Sequence, residues 1–172
     1  GMMFRLGFYV EANEEIAQAF YTRAFNGFSY LEAKKRNPYI EYRIGKLYYF
    51  GFGVTQDYIE ARKMFVLSDN KYAHYWLGKI YYSGLGVEYN YETAAYYYRM
   101  PAEKGVDYAQ YFLGKLYYSG EGINQDYAKA AMWFERAAVQ GNPFAQYRLG
   151  QIYHLGLGIE KDDKIALKWL AK

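Results

Sequence analysis

The sequence predicts an all-α solenoid made of about four tandem helix pairs, and an internal repeat is the main reason. Four eight-residue strings align without gaps, at Tyr42–Tyr49, Tyr75–Tyr82, Tyr111–Tyr118 and Tyr147–His154. Their glycines are separated by 33, 36 and 36 positions. Self-similarity at such a period is typical of repeat proteins, in which each unit packs mainly on its neighbours.

Each unit is predicted to contain a helix A, a glycine turn and a helix B. The aligned string forms helix A, and a Gly-x-Gly turn with positive φ is expected after it. Helix B then begins at an Asp or Asn, because these side chains accept the N–H groups that the first helical turn leaves unbonded. The turn glycines are Gly51/Gly53, Gly84/Gly86, Gly120/Gly122 and Gly156/Gly158, and the capping residues are Asp57, Asn90, Asp126 and Asp162.

A glycine inside helix A needs a structural reason, since it costs about 1 kcal/mol relative to alanine. We expect close approach of helix B to compensate. Helix B carries an alanine and, three positions later, a larger residue. We expect the alanine to face the glycine and the larger side chain to fill the space beside them. The glycines are Gly45, Gly78, Gly114 and Gly150, and the helix B pairs are Ala61/Met64, Ala94/Tyr97, Ala130/Trp133 and Ala166/Trp169.

The predicted organisation is an N-terminal helical cap followed by repeats. The cap, residues 1–37, is interpreted as a degenerate repeat that covers an apolar end of the solenoid, and Gly1 as a tag remnant. The first repeat lacks the inter-repeat glycine present at Gly105 and Gly141, so its loop is expected to differ. The last helix B ends early, which suggests either truncation or self-association through this unfinished end. The repeats are assigned to residues 38–72, 73–108, 109–144 and 145–172.

The motif resembles the Sel1-like repeat, a relative of the tetratricopeptide repeat, over about residues 38–172. This resemblance implies a right-handed α/α superhelix that serves as an adaptor for protein complexes, and it supplies no catalytic residues. The absence of cysteine differs from the cysteine-rich secreted branch of the family. The third unit carries the motif most fully, in Ala109, Leu113, Gly114, Tyr117, Gly120, Gly122, Asp126, Ala130, Trp133, Phe134, Ala137, Ala138, Gly141 and Asn142.

If the repeats pack as in this family, four columns of helix A residues line a concave surface, which we call the helix A surface. We predict that it binds a peptide or protein segment that is acidic or presents a C-terminal carboxylate. The carboxylates would meet lysines while apolar or proline side chains pack on rings. A second interpretation is that the aromatic columns mainly pack between helices. The columns are Tyr39, Tyr72, Tyr108, Phe144; Tyr42, Tyr75, Tyr111, Tyr147; Lys46, Lys79, Lys115, Gln151; and Tyr49, Tyr82, Tyr118, His154. Four other tyrosines are assigned to the core: Tyr48, Tyr81, Tyr117 and Tyr153.

Composition narrows the classes of function. No apolar run approaches the roughly 20 residues of a membrane span, and a net charge of +3 without dense Lys/Arg tracts does not support nucleic-acid binding. Without cysteine there is no disulfide, thiolate nucleophile or sulfur-ligated zinc. A cytoplasmic location is the default, and a periplasmic or secreted one is the alternative if a leader has been removed.

The sequence predicts no catalytic, metal or cofactor site. The only histidines, His74 and His154, lie in different repeats, and no nucleophile with a base is apparent. The glycine turns lack the Lys-Ser/Thr of a phosphate-binding loop. Binding of a carbohydrate or peptidoglycan fragment on stacked tyrosines is the alternative function. A sugar site needs Asp, Asn and Arg beside its rings, whereas these columns offer Lys and the nearby Arg43 or Arg148, which favours an anionic peptide.

Overall fold

The computed structural model describes residues 13–171. The predicted tag remnant Gly1 and the final residue Lys172 therefore lie outside the described residues. Within them the chain forms nine helices and no strand, which confirms the predicted all-α solenoid class. The helices are α1 Glu14–Lys34, α2 Pro38–Phe50, α3 Tyr58–Ser68, α4 Lys71–Ser83, α5 Tyr91–Glu103, α6 Asp107–Ser119, α7 Tyr127–Val139, α8 Pro143–Leu155 and α9 Asp163–Leu170.

Each repeat contains two helices in the expected order, although α4, α6 and α8 begin two residues before the predicted repeat boundaries at 73, 109 and 145. Helix A is α2, α4, α6 or α8, and the helix B that follows it is α3, α5, α7 or α9. In the third repeat a side-chain oxygen of Asp126 accepts the N–H of Lys129, so the predicted cap is confirmed. The equivalent caps at Asp57, Asn90 and Asp162 are confirmed as well.

The two helices of a repeat are antiparallel, as the contacts of the third repeat show. Tyr118, at the end of α6, touches Tyr127, at the start of α7, with ring centres 5.3 Å apart. Gly114, in the middle of α6, faces Phe134, in the middle of α7. The turn between the helices begins with Gly120 at φ +76°, in the left-handed region predicted from its glycine.

The helix A glycines admit the predicted close approach of helix B, and the helix B alanine lies near the glycine at Gly114 and Gly150. The large side chain nearest the glycine comes one position later than predicted, although the predicted Met64 is also close to Gly45. A Cβ added to Gly78 would lie 2.6 Å from Cε1 of Tyr98, and one added to Gly114 would lie 2.9 Å from Cδ1 of Phe134. These side chains come four residues after the helix B alanine, not three, because residues four apart share a helix face more closely. The side chains that face the glycines are Phe65, Tyr98, Phe134 and Leu170.

The second glycine of each turn packs against the preceding helix B. Gly122 has φ +71°, and an added Cβ would lie 2.7 Å from Cβ of Tyr91 and still closer to the backbone N of Glu92. Gly158 meets Tyr127 in the same way, also with an added Cβ at 2.7 Å from its Cβ. These positions therefore require glycine both for the backbone angle and for space.

The long helix α1 behaves as a helix B. Its N-cap Asn13 is followed four residues later by the fully buried Ala17, the spacing of Asp126 and Ala130. The turn residue Gly53 approaches the backbone of Thr22 as Gly122 approaches that of Glu92. The sequence interpretation of residues 1–37 as a degenerate repeat did not align Asn13 and Ala17 with the cap and the alanine of a helix B. Their four-residue spacing indicates that alignment.

Polar side chains tie successive repeats together. The amide of buried Gln110 donates to the carbonyl oxygen of Ala102 at 3.0 Å, and that of Gln146 donates to Ala138 at 3.1 Å. Each amide thereby satisfies a carbonyl at the C-terminal end of the preceding helix B. The buried Glu41 occupies the corresponding position of α2 and accepts from Nε of Arg36 at 2.8 Å.

The loop after the first repeat differs from the later ones, as predicted. Asp69 adopts φ +46°, whereas Gly105 and Gly141 supply φ +83° and +90° at the later junctions. Non-glycine residues seldom adopt this conformation, but Asp and Asn tolerate it better than most. The side chain of the neighbouring Asn70 caps α4 by accepting the N–H groups of Tyr72 and Ala73.

The chain divides into two compact units. Unit 1 comprises the residues up to 73 together with 85–87, and unit 2 comprises 74–84 together with the residues from 88 onward. Phe65 and Ile44 are buried in unit 1, while the core of unit 2 includes Tyr98, Leu113 and Leu149. Of the helices described between residues 13 and 171, none combines the length and apolar character needed to cross a bilayer.

The turn glycines give a stability prediction. We expect Gly122→Ala to lower the free energy of unfolding more than Gly105→Ala. Both residues have positive φ, so each substitution carries about 1–2 kcal/mol of backbone strain. Only the Cβ at position 122 meets another backbone, since Gly105 has open space around it, and such overpacking adds about 1–3 kcal/mol. Urea denaturation measures both values, and equal losses would contradict the close contact.

The repeat register gives a second prediction. Leu113 is 1% exposed in the core of unit 2, so Leu113→Ala should lower the free energy of unfolding by roughly 2–5 kcal/mol. Val139→Ala is the control, because that side chain is 67% exposed and should change stability little. Thermal denaturation compares the two variants, and an unchanged melting temperature for Leu113→Ala would show that the register is wrong.

Candidate partner-binding surface

In unit 1, the helix A surface combines exposed and half-buried rings. Tyr39 is 60% exposed and Tyr72 is 50% exposed. Tyr42 is half-buried between Tyr72, with ring centres 6.0 Å apart, and the core residue Phe65, at 6.2 Å. In unit 1 the first aromatic column is therefore exposed to a partner, whereas the second column packs beneath it against the core.

Tyr49 corrects the predicted surface. It is only 7% exposed, because its ring makes edge contacts with Phe50 at 5.0 Å and with Tyr58 at 5.3 Å. Burial, with a smaller contribution from Tyr58, raises the pKa of the Tyr49 phenol to about 12. Tyr49 therefore belongs to the core of unit 1 and is not a contact residue.

Cations on α2 lie against aromatic rings. The ammonium of Lys46 lies 5.9 Å from the ring centres of both Tyr42 and Phe50. The guanidinium of Arg43 lies 5.6 Å from the ring of Phe28 and 5.8 Å from that of Tyr39. Burial lowers the pKa of Lys46, and the nearby positive charge of Arg43 lowers it further.

In unit 2, α4 continues the pattern with half-buried residues. Tyr75 packs on the core residue Tyr98 with ring centres 6.2 Å apart, and Tyr82 contacts Phe112 at 5.3 Å. The ammonium of Lys79 lies 5.2 Å from the ring of Trp76, and burial lowers its pKa. These tyrosines both pack between helices and face outward in part, so the two sequence interpretations apply to the same residues.

Further along unit 2, α6 and α8 bring rings from two repeats together. Tyr111 lies 5.7 Å from Phe144, which is exposed, as are Tyr108 and Tyr147. Tyr118 is half-buried and packs on the core beside them. Exposed aromatic side chains therefore lie at the N-terminal half of these helices.

Lys115 and Arg148 are the cations of this region. The ammonium of Lys115 lies 5.1 Å from the ring centre of Tyr82. Burial, the largest single cause, tends to lower the pKa of Lys115. The hydrogen bond that the ammonium donates to Tyr82, together with the electrostatic effects of Tyr82, Tyr111 and Glu121, outweighs burial, so the net pKa is raised. The guanidinium of Arg148 lies 5.8 Å from the ring centre of Tyr118.

A short hydrogen-bond chain orients Arg148. Its Nη1 donates to Oε1 of Gln151 at 3.1 Å, and Nε2 of Gln151 donates to the hydroxyl of Tyr147 at 3.0 Å. Gln151, the only non-lysine in its column, therefore positions a neighbouring cation. The sequence columns did not include one further equivalent position of helix A, which is cationic in the first and last repeats and aromatic in the two between them. Its residues are Arg43, Trp76, Phe112 and Arg148.

His154 makes a different contact. Its Nδ1 lies 2.7 Å from Oδ1 of Asp163, on α9, and Lys161 lies 3.4 Å from the other oxygen of that carboxylate. The hydrogen bond with His154 is the main cause that lowers the pKa of Asp163. His154 is exposed, but it pairs with Asp163 of helix B. It therefore contributes less to the helix A surface than Tyr118 does.

The four tyrosines assigned to the core are half-buried. Tyr48 meets the ring of Phe25 edge-on at 5.2 Å, and Tyr81 stacks on Tyr97 at 5.6 Å. Tyr117 and Tyr153 pack against the core clusters of unit 2. They contact the core as predicted, yet none of the four is fully enclosed.

The Sel1 repeat family model matches residues 1–27, 38–68, 71–106, 107–142 and 143–172. The chain therefore belongs to the Sel1 repeat family, as its motif indicated. Sel1 repeat proteins generally mediate protein–protein interactions and are generally non-catalytic interaction modules. The first match falls within the segment interpreted as a degenerate repeat.

Solved structures similar to the chain include the two described next, whereas a search of curated proteins found no match. One is a protective antigen of uropathogenic Escherichia coli strains displaying an SLR fold, with a TM-score of 0.81 and 33% identity over 98% of this chain. The other is a Sel1 repeat protein from Oxalobacter formigenes, with a TM-score of 0.78 and 29% identity over 98% of this chain. The chain spans 35% and 66% of their respective lengths.

The buried phenol of Tyr49 predicts a pH effect. A pKa raised from 10 to about 12 in the folded protein stabilises the fold fully below pH 10. That contribution is lost as the pH rises through 12, since the Tyr49 phenol ionises at a lower pH in the unfolded chain than in the folded protein. Tyr49→Phe should therefore reduce the fall in unfolding free energy between pH 10 and 12. Urea denaturation across this range measures it, with exposed Tyr39→Phe as control; identical slopes for both variants would refute the assignment.

Proposed function

We propose that the chain is a non-catalytic adaptor that binds an acidic, extended protein segment along its helix A surface. The observation that carries this proposal is that cations and aromatic rings occur together on every helix A. The pairs are Lys46 with Tyr42, Lys79 with Trp76, Lys115 with Tyr82 and Arg148 with Tyr118. A ring beside a cation offers an apolar contact and a charge to the same ligand.

The sign of the charge supports an acidic ligand. The helix A segments contain two acidic residues, Glu41 and Asp107, in the sequences of α2 and α6. Glu41 is buried and pairs with Arg36, while Asp107 accepts a hydrogen bond from Asn142. Neither carboxylate accompanies the cations of the helix A surface, so these cations favour an anionic partner.

Helix B cations provide the contrast. Lys63 pairs with Glu60, and Lys129 pairs with Asp126 at 3.1 Å, each within one helical turn. Such exposed pairs stabilise a helix by only a few tenths of a kcal/mol. They do, however, neutralise the helix B side locally. Over the four repeats, the helix A segments carry six Lys or Arg against two acidic residues, and the helix B segments carry seven against five, so the excess of positive charge is larger on helix A.

Selection from a random peptide display library tests this function. The wild type should enrich peptides rich in Asp or Glu together with aromatic residues or proline. The variant Lys46/Lys79/Lys115→Glu should lose this enrichment, because it reverses the charge that meets the peptide, while its helical circular dichroism spectrum stays the same. The matched control is Lys104/Lys164/Lys168→Glu, which changes the net charge equally at exposed positions outside helix A.

The outcomes separate the possible failures. Loss in the helix A variant with retention in the control supports the proposal. Equal enrichment by both variants would show that the peptide binds elsewhere. If the wild type enriches no peptide at all, peptide binding is wrong, and a glycan array then examines the carbohydrate alternative.

A further inference from the structure

We infer that Lys115 and Arg148 form a subsite for the side-chain carboxylate of a Glu or Asp residue within the bound segment. This inference rests on the proposed function and assigns its most specific contact. The two cations lie on the neighbouring helices α6 and α8 of unit 2. Tyr118 lies three positions after Lys115 on α6, and its ring lies 5.8 Å from the Arg148 guanidinium, whereas the Lys115 ammonium lies against Tyr82.

Both cations are half-buried without an acidic partner among the described residues. Around Lys115 lies the ring of Tyr82, and around Arg148 lie the ring of Tyr118 and the amide of Gln151. Glu121 is the acidic residue that raises the pKa of Lys115; it is exposed and accepts a hydrogen bond from Ser119 at 3.0 Å. Each cation has a neutral hydrogen-bond acceptor, Tyr82 for Lys115 and Gln151 for Arg148, which compensates its partial burial less fully than an anion would. A ligand carboxylate would supply that compensation to both cations.

The geometry of Arg148 makes it the residue that sets specificity. Gln151 holds one edge of the guanidinium through Nη1, and Tyr147 in turn fixes Gln151. A guanidinium carries five N–H donors in a planar fork, which matches a carboxylate in a bidentate manner. The fork is therefore oriented before the ligand arrives, and less rotamer freedom is lost on binding. A lysine at position 151 would instead place a like charge three residues from Arg148.

The position of the cations indicates a side chain rather than a chain terminus. Lys115 and Arg148 lie inside their helices, α6 and α8. Aromatic residues lie on both sides of them: Tyr108, Tyr111 and Phe144 precede, and Tyr118 follows. A segment that placed a terminal carboxylate between the cations would leave one group of rings without contact. A carboxylate in mid-segment allows flanking apolar side chains to reach both groups.

Nuclear magnetic resonance titration tests this subsite with a defined probe. The probe is glutamate blocked as N-acetyl and α-amide derivatives, so that its side chain supplies the only carboxylate. It should shift the Arg148 Nε–H and Gln151 side-chain amide signals saturably, with a Kd on the order of millimolar for a single contact. Blocked glutamine should cause no saturable shift, and inorganic phosphate should bind no more tightly than blocked glutamate.

Variants in this region extend the test. Arg148→Gln and Lys115→Gln should each weaken probe binding at least about tenfold, which corresponds to 1.4 kcal/mol. Gln151→Glu should abolish it by placing a carboxylate beside Arg148, and this variant keeps the size of the side chain. The control Lys164→Gln removes one exposed positive charge from α9 in the same unit and should bind as the wild type does. Circular dichroism verifies the fold of each variant.

Each outcome supports or overturns the subsite independently of the proposed function. Saturable binding of blocked glutamate that Gln151→Glu abolishes supports it. Equal shifts with blocked glutamine, tighter binding of phosphate, or no shift at all would overturn it. If peptides are enriched from the library but this titration fails, the adaptor function stands and the carboxylate subsite is wrong. If the titration succeeds and no peptide is enriched, the failure lies with the peptide-binding proposal.

Discussion

The close approach between a helix A glycine and a large helix B side chain is the contact on which each repeat depends. At Gly78 a single added Cβ would overlap the Tyr98 ring, and the other repeats repeat this relation. The contact removes a side chain from the middle of helix A and brings the helices together. It also sets the position of the next residue on helix A. In three repeats that residue is a lysine: Lys46, Lys79 or Lys115. The packing that defines the fold therefore determines where the cations emerge.

The aromatic residues have two roles that depend on their depth. Rings of the first column, such as Tyr39 and Phe144, are exposed, whereas rings of the second, such as Tyr75, contact the core on one side. An aromatic side chain is large enough to bury one edge and offer another. The high tyrosine content thus serves stability and surface chemistry together, and both sequence interpretations apply to half-buried rings such as Tyr75.

Features set by local chemistry could be predicted from the sequence, and features set by packing between helices could not. Caps such as Asp126 and turns such as Gly120 depend on a few neighbouring residues, so their types identify them. The choice of Phe134 over Trp133 as the contact of Gly114 depends on how two helices are rotated against each other. Tyr49 is buried because Phe50 and Tyr58 close over it, although it aligns with the half-buried Tyr82 and Tyr118.

The cations of the helix A surface are held by rings, and this has a consequence for recognition. A lysine in water moves freely, and ordering it on binding costs free energy. Lys115 already lies against Tyr82, and Arg148 is held by Gln151, so part of that cost is met during folding. A ring cannot neutralise a charge as a carboxylate does, however. Lys115 and Arg148 therefore keep an ordered positive charge, and the proposed acidic segment would meet it at a lower cost in conformational entropy than it would meet mobile side chains.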